Sequence, residues 1–226
     1  GVATLINTDM NTFRTGLNAK GMYLASPAVW WSIGMLMLVK YATTDLQAVV
    51  SAGYNSGDTT YTSGNADSVL GYDGSATSVT TTEASLIFLI ENFYGNCWKY
   101  MDGCFEYGGY LYIKNAEDMV SDPSSLADLQ VSYTKISSIV QSGGSNIAIT
   151  KIADDAIYDW FMFPSTDSNA KTIVCNDNFW SNNDSSLRRL MFGGSAWNGS
   201  TDGLFCFYSI AAVGSSGVSN GAVGVS

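Results

Sequence analysis

The chemistry open to this 226-residue chain is bounded first by what it lacks: it contains no histidine. That removes the commonest general base, the commonest metal ligand, and the Ser-His-Asp and Cys-His arrangements that activate a nucleophile. Four cysteines remain, Cys97, Cys104, Cys175 and Cys206. None forms a C-x-x-C pair, three disulfide connectivities are open to them, and a zinc site would need all four thiolates. Buried free thiols are the expectation, because a domain of this size does not depend on cross-links. Carboxylates for glycosidase chemistry could be drawn from Glu91, Asp102, Glu106, Asp154 and Asp155. With 20 acidic residues such pairs arise by chance, and solvated surface is the better reading. The triplet "NDN" (176–178) offers oxygen ligands for calcium, although such clusters more often make plain turns. Neither a metal nor a cofactor is expected.

What the chain does carry is aromatic side chains set among small polar ones. "CNDNFWSNNDSS" (175–186) and "SAWNGSTDG" (195–203) surround Trp180 and Trp197 with Asn182, Asn183, Asp184, Asn198 and Asp202, and Tyr208 in "FYSIAAVGSSG" (207–217) is placed to adjoin them. Rigid aromatic area beside adaptable hydrogen-bonding groups is the make-up of recognition loops, and Trp or Tyr can also stack on a sugar ring. Either tryptophan fits equally well as a core residue, since Trp is highly buried on average. Both readings stand open for each ring.

The composition fits a globular domain, 46% hydrophobic and only 13% charged. A net charge of −10 argues against nucleic acid as a partner, since phosphate binding needs a basic surface. The most apolar run, "PAVWWSIGMLMLV" (27–39), is shorter than the roughly 18–20 residues that cross a bilayer, so no membrane insertion is expected. The chain opens Gly1-Val2-Ala3 without a basic and apolar leader, as a processed or partial product would.

The elements that must position these residues read as one α+β domain spanning 1–226, with two helices and a loop-rich, mostly antiparallel β second half. Residues 1–26 suggest an entry strand and a loop at 15–21. Ser26 as N-cap and Pro27 at the first position start a helix running towards Val50, with Trp31, Met35, Leu38, Ala42 and Leu46 at helical spacing. A Gly/Ser/Thr-rich insertion fills about 51–82, and "EASLIFLIENFYG" (83–95) suggests a second helix. Strand-like pieces follow at 108–115, 137–142, 156–164, 171–175, 187–194 and 203–212, the last alternating Phe205, Phe207 and Ser209 against Cys206, Tyr208 and Ile210.

Two stretches carry a family resemblance. "GNCWKYMDG" (95–103) resembles the GN-x-W-E-W signature, and "LRRLMFGGSAWNGS" (187–200) resembles the R-x-x-R-GGSW signature, of formylglycine-generating-enzyme-type domains, a branch of the C-type-lectin-like fold. The order of the two motifs is also similar to that in domains at the tips of bacteriophage tail or head fibres and in variable proteins diversified by retroelements. The resemblance marks Asn96, Trp98, Gly193, Gly194 and Ser195 as the fold signature. It implies a non-enzymatic C-type-lectin-like domain on a virion surface, a homotrimer in a fibre with other virion proteins, contacting a host cell-surface glycan or protein. A virion decoration or assembly protein without a receptor is an alternative, and so is a secreted bacterial adhesin or degenerate enzyme of this type. The chain departs from the pattern at Ala196, which stands between "GGS" and Trp197, and in ending "GAVGVS" without arginine.

Overall fold

A computed structural model describes residues 5–51, 53–55, 57, 85–88, 90–139, 144–182, 184–217 and 219–225. Most of the 51–82 insertion and Asn183 lie outside the described residues.

The entry region forms a helix rather than the expected strand and loop. The Asp9 carboxylate accepts the Thr12 backbone N–H at 2.9 Å and starts α1 (Met10–Asn18). Met10, Phe13 and Leu17 fall on one side of it and pack inward. After the short β1 (Tyr23–Leu24), α2 (Pro27–Tyr41) begins as read, with the Ser26 hydroxyl accepting the Val29 N–H and Pro27 in the first turn. It stops well before Val50: Ala42 turns left-handed at φ 52° and residues 43–50 run through turns. The buried positions are Trp30, Trp31, Gly34 and Met37, whereas Met35 faces solvent.

The second expected helix is also corrected. Residues 85–91 carry a small antiparallel pair, β2 (Leu86–Ile87) and β3 (Ile90–Glu91), reversed through Phe88 at φ 48°. Positive φ at Phe88 and Asn92 breaks any helix there.

The longest strand, β4 (Trp98–Tyr107), had no counterpart in the sequence reading, and it pairs with β5 (Tyr110–Ile113). A third helix, α3 (Leu126–Ser132), precedes β6 (Thr134–Ile139), β7 (Gly144–Ala148), β8 (Lys151–Ala153), β9 (Phe163–Pro164) and β10 (Lys171–Thr172). The chain finishes with β11 (Asn178–Ser181), β12 (Arg188–Phe192), β13 (Phe207–Ser209), β14 (Asn220–Gly221) and β15 (Gly224–Val225). The principal sheet runs β6-β5-β4-β12-β13-β11-β7, with β14 added beside β4. Its pairings are antiparallel except β11 with β13 and β14 with β4. A separate three-stranded sheet runs β10-β8-β9, and β1 pairs with β15. The domain is α+β with three α-helices among the described residues and a mostly antiparallel sheet.

Alternation along the strands divides the interior into two cores, one on each face of the principal sheet. Leu190 and Phe192, Phe205 and Phe207, and Phe179 point into the core that contains Trp30 and Trp31 of α2. Met191, Cys206, Tyr208 and Trp180 point into the other, against Met10 of α1 and Leu129 of α3. The alternation read at 205–210 is therefore the one the sheet uses.

Strand β4 is buried along nearly its whole length, Lys99, Asp102 and Glu106 included. Its register against β12 slips between the Arg189–Phe105 and Met191–Tyr100 pairs. At this bulge Gly103 takes φ 73°, and a β-carbon there would run into the Lys114 carbonyl, so only glycine fits. The kink turns Asp102 onto Arg14 of α1, in a two-pronged contact of 2.8 Å from Nε and 2.7 Å from Nη2. Nη2 also reaches Asp122 at 2.5 Å. This buried ion cluster ties α1, the centre of the sheet and the turn before α3 together.

Candidate functional site

The turn after β12 assembles the sequence signature. Gly193 and Gly194 adopt φ 87° and 79°, which reverses the chain sharply at the end of the strand. Backbone hydrogen bonds fix the reversal from both sides: Gly193 N–H donates to Cys206 at 2.9 Å, and its carbonyl accepts Gly95 N–H at 2.7 Å. The two motifs are thus in direct contact. Asn96, left-handed at φ 65°, accepts the Ala196 N–H on its backbone carbonyl at 3.0 Å. Buried Lys99 donates to the carbonyl of Gly95.

Side chains then lock the turn from within. The Ser195 N–H donates to Asn198 Oδ1 at 2.9 Å and to Asp202 Oδ1 at 3.1 Å, and the Ser195 hydroxyl donates to Asn198 Oδ1 at 2.5 Å. Thr201 Oγ1 donates to the Asn198 carbonyl, and Asn176 Nδ2 donates to that of Ser200 at 2.6 Å. A single 3-10 turn at Gly199–Thr201 completes the loop. Asp177 supports it from beneath, accepting the Phe205 N–H at 2.7 Å and a Gln47 amide N–H at 3.0 Å; the same amide donates to the Asp202 carbonyl. Burial pushes the Asp177 carboxyl up to about 7 and lifts that of Asp202 well above the usual carboxylate range.

On this framework Ala196 is buried and Trp197 is 42% exposed. The inserted alanine takes the inward position and turns the indole to solvent, beside exposed Gly199 and Ser200 and half-buried Asn198. Of the residues read as displayed, Trp197 and Asn198 stand together on the turn, while Asp202 is a fully buried brace and is corrected to that role.

Trp180 is likewise corrected: it is buried at 9% exposure, meets Trp98 edge to face at 5.5 Å, and belongs to the α1-side core. Tyr208 is half-buried and packs on Trp98 at 5.2 Å. Asn182 is exposed, and Asp184 accepts from Arg188 at 2.8 Å, which holds its carboxyl below the usual range. These residues do not converge with Trp197 into one patch by any contact described. The "NDN" residues are a support and not a cation cage: Asp177 serves the turn, and Asn178 Nδ2 donates to Asn146 at 2.5 Å.

The four cysteines are free thiols. Burial raises all of them above the ordinary thiol range, Cys175 to about 12, and Cys175 and Cys206 sit in opposite cores.

Gln47, Lys99 and Arg189 were absent from the sequence reading of the site, and Asp177 entered it only as an oxygen ligand within "NDN". Arg189 is fully buried on β12; its Nη1 donates to the Ser215 carbonyl and its guanidinium lies 4.6 Å from the centre of the Tyr100 ring.

No protein-family model matches the chain, and no curated protein sequence matches it.

Proposed function

We propose that this chain is a non-enzymatic recognition domain of C-type-lectin-like architecture, presenting the Trp197 turn to a host cell-surface glycan or protein. The observation that carries this reading is a large indole held 42% exposed on a turn that Ser195, Asn198, Thr201 and Asp202 tie together by hydrogen bonds beneath it. Exposed aromatic area on a rigid support binds without ordering a loop at the moment of contact. The contact between the Gly95–Asn96 and Gly193–Ala196 segments supports the lectin-like assignment, because the two motifs behind the resemblance meet in space. Placement on a bacteriophage tail or head fibre, as a homotrimer among other virion proteins, rests on the resemblance of those motifs alone.

The test is binding of the purified chain to whole host cells and to a glycan array, for the wild type and for Trp197→Ala. Loss of binding in a folded Trp197→Ala protein is expected. Undiminished binding would remove the turn from the function, and a chain that sediments as a monomer would count against the fibre.

A further inference from the structure

The sharpest electrostatic anomaly of the molecule lies away from the Trp197 turn. In a chain with net charge −10, Arg189 is 0% exposed, yet no salt bridge among the described residues includes it. Its Nη1 is satisfied by the Ser215 carbonyl and its guanidinium lies against Tyr100, but Nε and Nη2 make no hydrogen bond of normal geometry. The other buried arginine, Arg14, shows how this fold normally treats such a group, with two carboxylates gripping it. Asp122, the carboxylate that most favours the Arg189 charge, is already committed to Arg14. A buried cation with two idle donors is costly, and persists where something else completes it.

Arg189 lines a cleft of about 380 Å³. Buried Trp98 and Asn220 form the deep part with it, and half-buried Tyr208 and Ser215 with exposed Ser216 form the rim. The volume is at the small end of the range for small-molecule sites. One guanidinium edge presenting parallel N–H groups matches a carboxylate, and a single positive charge in an acidic protein matches a monoanion. The surrounding groups, two aromatic side chains with serines and an amide, are those that hold a sugar ring.

We propose that this cleft is a second binding site, distinct from the Trp197 turn, for a carboxylated sugar residue whose carboxylate engages Nε and Nη2 of Arg189. The ring lies against Tyr208, and its hydroxyls meet Ser215, Ser216 and Asn220.

Titration of the full chain with glucuronate, followed by saturation-transfer NMR and calorimetry, tests it. Glucuronate is expected to bind, with glucose and the glucuronate methyl ester weaker by about tenfold or more, because both lack the charge that Arg189 requires. Acetate is expected not to compete at equal concentration. Arg189→Lys removes the fork and is expected to weaken glucuronate to the level of the ester. Should that variant fail to fold, Ser216→Trp, which fills the exposed rim, is expected to abolish binding in a folded chain. Trp197→Ala is expected to bind glucuronate normally even where it has lost cell binding. No transfer to glucuronate, equal binding of the ester, or equal competition by acetate would overturn the proposal. Loss of glucuronate binding in Trp197→Ala would overturn it too, by placing the sugar on the turn.

Discussion

The carboxylate of Asp202 occupies the space in which a β-carbon on Gly194 would have to stand. The same carboxylate accepts the N–H of the next residue, Ser195, so glycine and aspartate are fitted to each other across the turn that carries Trp197. Gly194→Ala therefore meets two obstacles, a left-handed backbone and a collision with a buried brace. A destabilisation of about 3 kcal/mol is expected from the sum of backbone strain and overpacking. Urea unfolding would measure it, and a change below about 0.5 kcal/mol would mean that the turn simply relaxes.

The two tryptophans once alike in sequence context should separate cleanly. Trp197→Ala removes a ring already half in water and is expected to shift stability by no more than about 0.5 kcal/mol. Trp180→Ala empties a site packed against Trp98 and is expected to cost about 3–5 kcal/mol. Thermal unfolding of both variants decides this, and comparable losses would show that the exposed ring is structural.

Stability should fall as pH rises from acidic towards neutral. Burial holds Asp177 and Glu106 protonated up to about 7, and also lifts Asp202 well above the usual carboxylate range, whereas the same groups ionise near 4 in the unfolded chain. Between about 4 and 7 the folded state therefore binds more protons than the unfolded one. The contribution is full below the unfolded values and is lost as pH passes through the folded ones. Melting temperatures measured across this window should decline with pH, and Asp177→Asn combined with Glu106→Gln should flatten the slope. A melting temperature that climbs steadily over the same range would contradict the assignment.

Arg14→Met should be among the most damaging single changes in the chain. It leaves Asp102 inside the sheet without its two-pronged partner, at an expected cost of about 3–5 kcal/mol. Adding Asp102→Leu to Arg14→Met should recover much of that loss, because an apolar pair avoids the unpaired charge. Chemical denaturation of the single and double variants completes the cycle, and no recovery would show that the Asp102 contact to the Gly103 N–H matters more.

Local signals in the sequence proved reliable where the structure is decided locally. Ser26 and Pro27 mark the start of α2, and the 205–210 alternation matches the two cores. The end of α2 is set by Ala42 turning left-handed, which nothing in "LVKYATTD" announces. The run "EASLIFLIENFYG" is apolar on every side, so its period distinguishes neither helix nor strand, and the positive φ of Phe88 and Asn92 decides for the hairpin. Strand β4 was hidden because Lys99, Asp102 and Glu106 look like surface residues. Their partners, the Gly95 carbonyl, Arg14 and the Gly109 N–H, are contacts only the folded chain reveals. At the candidate site, the aromatic-polar composition around Trp180 and Trp197 was legible, but which ring faces water depended on Ala196 taking the buried place.

The pairing of β1 with β15 also sets a timetable. Tyr23 and Leu24 find their partners only in Val225 and Gly224, and Asn7 donates to the carbonyl of Gly217. Joining points some two hundred residues apart carries a loop-closure cost unless the intervening sheet has already brought them together. On a ribosome, β1 must wait until Gly224 and Val225 have emerged before its ladder can form. The domain is therefore closed by a strand that follows its partner by some two hundred residues.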